Sequence, residues 1–179
     1  MSDWRSDVLK FWFGLDPKQW WRSDPELDHR IKEDFLKLWA ERRQLPVDAF
    51  TGDSLTALAA VVLFDQFPRN LFRGDARTYA TDPLARAVAN RALKRGYDQD
   101  VPDELRDFFF LPFMHSEDPV DQERCVQLYR EAESADLKYA ERHRDIIKRY
   151  GRFPHRNAIL GRDTTPEEQK FLDEGGFKG

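Results

Sequence analysis

Two short stretches concentrate the residue types that could hold an anion. The first is Phe64-Asp65-Gln66-Phe67-Pro68-Arg69-Asn70-Leu71-Phe72-Arg73-Gly74, which sets an acid, amides and arginines between aromatic rings. The second is Phe153-Pro154-His155-Arg156-Asn157, preceded by Arg152 and followed by Gly161-Arg162. A guanidinium presents a planar fork of donors that matches carboxylate and phosphate. Arg69, Arg73, Arg152 and Arg156 around one concavity would therefore suit an anionic ligand, with Asn70 and Asn157 as orienting amides and Asp65 and Gln66 completing the wall. Arg69 and Arg73 stand four apart and share a helical face. Pro154 interrupts the same spacing between Arg152 and Arg156. The opposing expectation is that Asp65, Glu117 and Asp118 pair with these arginines and tie helix ends together. Both readings stay open at this level.

Proton chemistry would fall to His115-Ser116-Glu117-Asp118, directly after the apolar run 108–114. Histidine titrates near neutrality, and a carboxylate such as Glu117 would orient it and raise its pKa. His155 could join from the second stretch. The simpler role is capping: Ser116 or Asp118 begins the helix at Pro119, and Glu117 favours that N-terminus. Ser116 lacks the Gly-x-Ser-x-Gly setting of an activated nucleophile. His143-Arg144-Asp145 spells a kinase tripeptide without a glycine-rich loop, and His143 reads as a solvated or stacking residue. His115, His155, Glu117 and Asp65 match no metal-ligand spacing, so neither a metal nor a cofactor is expected.

The chain as a whole narrows the partners. Its 179 residues carry a formal charge of -4, which disfavours a general nucleic-acid binder, including at the basic turns of 138–162. The single Cys125 excludes an intramolecular disulfide and fits a buried residue of a reducing compartment. No stretch approaches the roughly 20 apolar residues of a membrane span, and the N-terminus does not read as a signal peptide. A cytoplasmic protein with no membrane partner is expected.

The elements that must position these residues read as helices. Trp4, Val8, Phe11 and Trp12 share a face of a first helix that Gly14 closes in a left-handed conformation. Asp24-Pro25 starts a second, with Leu27, Ile31, Phe35, Leu38 and Leu45 at helical steps up to Pro46. Asp53 or Ser54 caps a very apolar third helix, with Leu55, Leu58, Ala59, Val62 and Leu63 pointing one way until Pro68. Asp82-Pro83 repeats the cap-plus-proline start. Pro102 opens a helix reaching Pro112, although the run Phe108-Phe109-Phe110 is also strand-like. Asp118-Pro119 begins a helix that breaks near Ser134, and Thr165-Pro166 begins the last. The resulting expectation is an all-α fold of antiparallel helix pairs in one compact domain over 1–174, with 175–179 a flexible tail.

Four motifs in order, Val8-Leu9-Lys10-Phe11-Trp12-Phe13-Gly14, Asp65-Gln66-Phe67-Pro68-Arg69-Asn70, Leu111-Pro112-Phe113-Met114-His115-Ser116-Glu117 and Gly151-Arg152-Phe153-Pro154-His155-Arg156-Asn157, span nearly the whole chain. Together they resemble the bacterial family known as domain of unknown function 924. The resemblance implies a tetratricopeptide-like helical array and transfers no activity.

Three functions follow as expectations. The first is binding of a small anion or an acidic peptide by the two arginine-asparagine stretches. The second is an enzyme in which His115 or His155 moves a proton. The third is a protein-interaction scaffold, for which the loop pair Trp20-Trp21 would supply an aromatic anchor.

Overall fold

A computed structural model describes residues 3–177. Among these the chain is helical with no strand: α1 (Trp4–Phe13), α2 (Pro25–Arg42), α3 (Ser54–Val61), α4 (Phe67–Leu71), α5 (Asp82–Lys94), α6 (Asp103–Arg106), α7 (Leu111–Met114), α8 (Pro119–Glu131), α9 (Leu137–Tyr150) and α10 (Pro166–Asp173). The all-α expectation holds. The backbone contacts divide into two units, Met1–Pro112 and Phe113–Gly179.

The first unit is built around α3. Thr56 through Val61 are all buried, so this helix is covered on every side, as its nearly continuous apolar sequence requires. It packs on α1 and α5, while α2 packs on α4. Asp53 is the cap, accepting from the Thr56 N–H at 2.8 Å. Leu55, placed by spacing on the apolar face, lies instead near the solvent-facing start of the helix and is exposed. On α2 the buried positions are Leu27, Ile31, Phe35 and Trp39. That helix ends at Arg42, so Leu45 falls beyond it and is exposed.

Gly14 does not take the expected left-handed conformation; its φ is -83°. Its lack of a side chain matters for another reason: a Cβ there would lie 2.6 Å from the Lys10 carbonyl oxygen. The aromatic run 108–110 forms a 3₁₀ turn and the approach to α7, not a strand.

In the second unit α8 and α9 run antiparallel, with Glu123 paired to Lys148 at one end and Arg130 to Glu141 at the other. The expected break falls between them, where Glu133 adopts φ 51°. The buried face of α9 consists of Ala140, His143, Ile146 and Ile147, at the spacing of one helical stripe. Ile146 and Ile147 pack with Phe153, against which Tyr150, Phe171 and Phe177 also lie. Thr165 and Glu168 close a reciprocal capping box at the start of α10, as the Thr-Pro-Glu-Glu order suggests.

Candidate functional site

The first stretch sits where α3 runs into α4 through a π-helical segment, Val62–Gln66. Such segments are rare and favour functional sites. Its local cause is Pro68, which has no N–H to offer the carbonyl of Phe64 and crowds that carbonyl with its ring. The Phe64 oxygen accepts instead from the Thr81 hydroxyl at 2.7 Å. Thr81 in turn accepts from the Trp39 indole N–H at 3.1 Å. Thr81, not Asp82, is therefore the cap residue of α5, and its side chain is diverted to this task.

Asp82 is diverted too. Arg69 extends both terminal nitrogens to its carboxylate, at 3.1 and 3.3 Å. Arg69 also lies 3.7 Å from the fully buried Asp65 carboxylate and donates to the Asp65 carbonyl. The Gln66 amide donates to Asp65 at 2.6 Å. Burial alone would pull the Arg69 pKa down, but the Asp65 and Asp82 charges hold it above its ordinary value. Arg69 is thus a permanently charged bridge between two carboxylates.

The remaining residues of the stretch converge on α2. Asn70 donates to one Asp28 oxygen at 2.8 Å, and Arg73 donates to both oxygens, at 2.9 and 2.7 Å. One amide and one guanidinium fork therefore enclose a single carboxylate.

The second stretch repeats this arrangement inside the second unit. Arg152 donates to both Glu168 oxygens at 2.7 and 2.8 Å, and the Asn157 amide donates to the same carboxylate at 3.2 Å. The Thr165 N–H adds another donor at 2.8 Å. These donors, the Arg152 bonds foremost, hold the Glu168 pKa at about 2. Glu117 accepts from the Phe153 N–H at 2.7 Å and from Arg162 at 2.7 and 3.0 Å. Burial opposes its charge, yet Arg162 and the Phe153 N–H hold its pKa below the ordinary range. Arg156 donates to the His115 carbonyl at 2.8 Å and lies over the Phe153 ring at 4.7 Å.

Two of the histidines, His155 and His143, are held neutral by their surroundings. His155 is pushed down to about 3, first by burial and then by the Arg156 charge. His143, read from sequence as solvated or stacking, is buried and packs edge-on against Phe153 and Phe177. Burial lowers it to about 4, against the hydrogen bond of its Nδ1 with the Tyr139 carbonyl at 2.7 Å. Ser116 donates to Asp121 at 2.6 Å and accepts from the Asp118 N–H, while Asp118 caps α8. This is the capping role, shared between two side chains.

Asp28, Asp82, Thr81, Glu168 and Arg162 complete these networks, and none was singled out from sequence as a site residue. Thr165-Pro166 marked the helix start beside Glu168, but nothing local marked Glu168, Asp28 or Asp82 as arginine partners. Among the described residues no group of three or more His, Cys, Asp or Glu side chains could hold a metal ion. No helix there is long and apolar enough to cross a membrane. Cys125 is buried. Trp21 is exposed and stacked on Phe108, whereas Trp20 donates to the Trp12 carbonyl at 2.9 Å. A surface groove bordered by Lys138, Arg142, Arg149, Tyr150 and Phe171 contains none of the expected site residues.

Comparison with known proteins supports the fold and adds no activity. No curated protein matches the chain. A solved structure of a protein of unknown function from Agrobacterium tumefaciens is similar over 96% of this chain and 97% of its own, with 46% identity and a TM-score of 0.89. The family model described as "Bacterial protein of unknown function (DUF924)" matches residues 8–176, and the chain therefore belongs to that family.

Proposed function

We propose that the protein binds small anions or acidic peptides through receptors for a carboxylate or phosphate group, built from an arginine fork and an asparagine amide. The observation that supports this reading is the repeated design. Asn70 with Arg73, and Asn157 with Arg152, each close on one carboxylate supplied by a distant helix. Charge-assisted, bidentate contacts of this kind are the strong ones for carboxylate and phosphate.

The two receptors differ in what can reach them. The Glu168 side chain is 4% exposed and held by a backbone donor as well, so it is a fixed pin. Asp28 is 19% exposed and Arg73 44% exposed. An incoming acid can compete with Asp28 for Arg73 and Asn70, and that receptor is the exchangeable one.

The test is calorimetric titration and thermal unfolding with acetate, succinate, inorganic phosphate and an acidic peptide. Asp28→Asn removes the competing charge and should tighten binding at least tenfold. Arg73→Ala should abolish it. A fully folded Asp28→Asn protein that responds to none of these ligands would overturn the reading.

A further inference from the structure

We propose that Gly175-Gly176-Phe177 is a pH-sensitive latch that covers the aromatic face of the second Phe-Pro stretch and lets go when the histidines beneath it take up protons. The geometry begins with a turn that only glycines permit. Gly175 has φ +83°, in the left-handed region. The Gly176 N–H donates to the Phe171 carbonyl at 2.8 Å. A Cβ on Gly176 would lie 2.4 Å from that carbonyl oxygen and 2.7 Å from the Phe171 ring.

This turn delivers Phe177 onto three rings. Its centroid lies 4.5 Å from His143, 5.0 Å from His155 and 6.4 Å from Phe153, and the Arg142 guanidinium stands 5.8 Å from it. The contacts to both imidazoles are edge-on. One phenyl group therefore shields two histidines.

The surroundings make a proton on either imidazole unwelcome while the latch is closed. His143 faces His115, Arg156 and Arg142, with the Tyr139 carbonyl on Nδ1. His155 faces Arg156, His143 and His115, and Glu117 is the acid that favours its charge. Burial is the larger effect for both and acts in the same direction as the positive neighbours. Undocking Phe177 admits water to both rings and moves both titrations up toward the ordinary value. The sign follows: the closed form binds fewer protons, so closure is strongest above the ordinary value of 6.5 and weakens as pH falls below it. Each fully shielded histidine favours the open form about tenfold per pH unit in that range. Opening bares Phe153 and His155, so pH controls access to this face.

Hydrogen exchange at the Gly176 amide in the full-length protein reads the latch directly. Its protection, corrected for intrinsic exchange, should fall at least tenfold between pH 7.5 and 5, and the His143→Gln/His155→Gln protein should lose that dependence. By NMR titration, Phe177→Ala should move both imidazole midpoints upward toward the ordinary value. Protection of Gly176 that is constant across this range in the unmodified protein, or midpoints unmoved by Phe177→Ala, would overturn the proposal. The unmodified protein alone can give the first of these outcomes, so the result does not depend on any variant folding.

Discussion

The Asn157 amide lies 3.2 Å from the Glu168 carboxylate that Arg152 grips, and the Asn70 amide lies 2.8 Å from the Asp28 carboxylate that Arg73 grips. Two stretches related by sequence thus perform one physical operation in two units of the chain. The asparagine fixes one oxygen and the arginine fork fixes the plane. A lysine could supply charge but not that plane.

The two receptors should differ in what they contribute to stability. Glu168→Ala removes a capping-box acceptor and leaves the fully buried Asn157 amide with only its long bond to the Thr164 hydroxyl, so it should destabilise by about 2 kcal/mol. Arg73→Ala breaks a half-exposed pair and should cost less than about 1 kcal/mol. Urea unfolding of the two proteins measures the order, and equal losses would contradict it.

Thr81→Val keeps the side-chain shape but leaves the Phe64 carbonyl and the Trp39 indole N–H without their hydroxyl. The expected loss is about 2 kcal/mol or more, because both groups are buried. Thr81→Ser should retain most of the stability. The midpoint in urea should move for valine with an unchanged m-value.

Acid should act in two stages. His143 and His155 have folded values of about 4 and 3, below the ordinary 6.5, so the unfolded chain takes up protons first. Stability should decline as pH falls through 6.5 toward 4, with a slope approaching about 1.4 kcal/mol per pH unit for each histidine. Glu168, at about 2 against an ordinary 4.5, contributes stability that is present above 4.5 and lost as pH falls from there toward 2. Chemical denaturation from pH 8 to 3 should show the slope of the upper stage cut to about half in His155→Phe, where His143 alone remains, and the lower stage preserved.

Gly14→Ala should destabilise although the backbone there is ordinary, because the new Cβ meets the Lys10 carbonyl at 2.6 Å. About 1–3 kcal/mol is expected for a contact that the helix end must yield to relieve. Thermal unfolding would show it; an unchanged midpoint would mean that the turn relaxes freely.

Interactions that close within a few residues were legible in the chain. Asp24-Pro25, Asp118-Pro119 and Thr165-Pro166 announce helix starts because a cap and its N–H lie two or three positions apart. The apolar stripe of α2 was equally local. Partner choice was not. Arg73 finds Asp28 across 45 positions, Arg69 finds Asp82 across 13, and Arg152 finds Glu168 across 16. Which carboxylate fills each guanidinium depends on which helices pack, and a list of charges cannot specify that. His143 shows the same division: its helical spacing places it on the stripe of Ala140 and Ile147, but only packing against Phe153 and Phe177 makes its ring dry and keeps it neutral. Helix ends are short-range events determined by sequence, whereas charge pairing and desolvation are long-range ones decided by the tertiary structure.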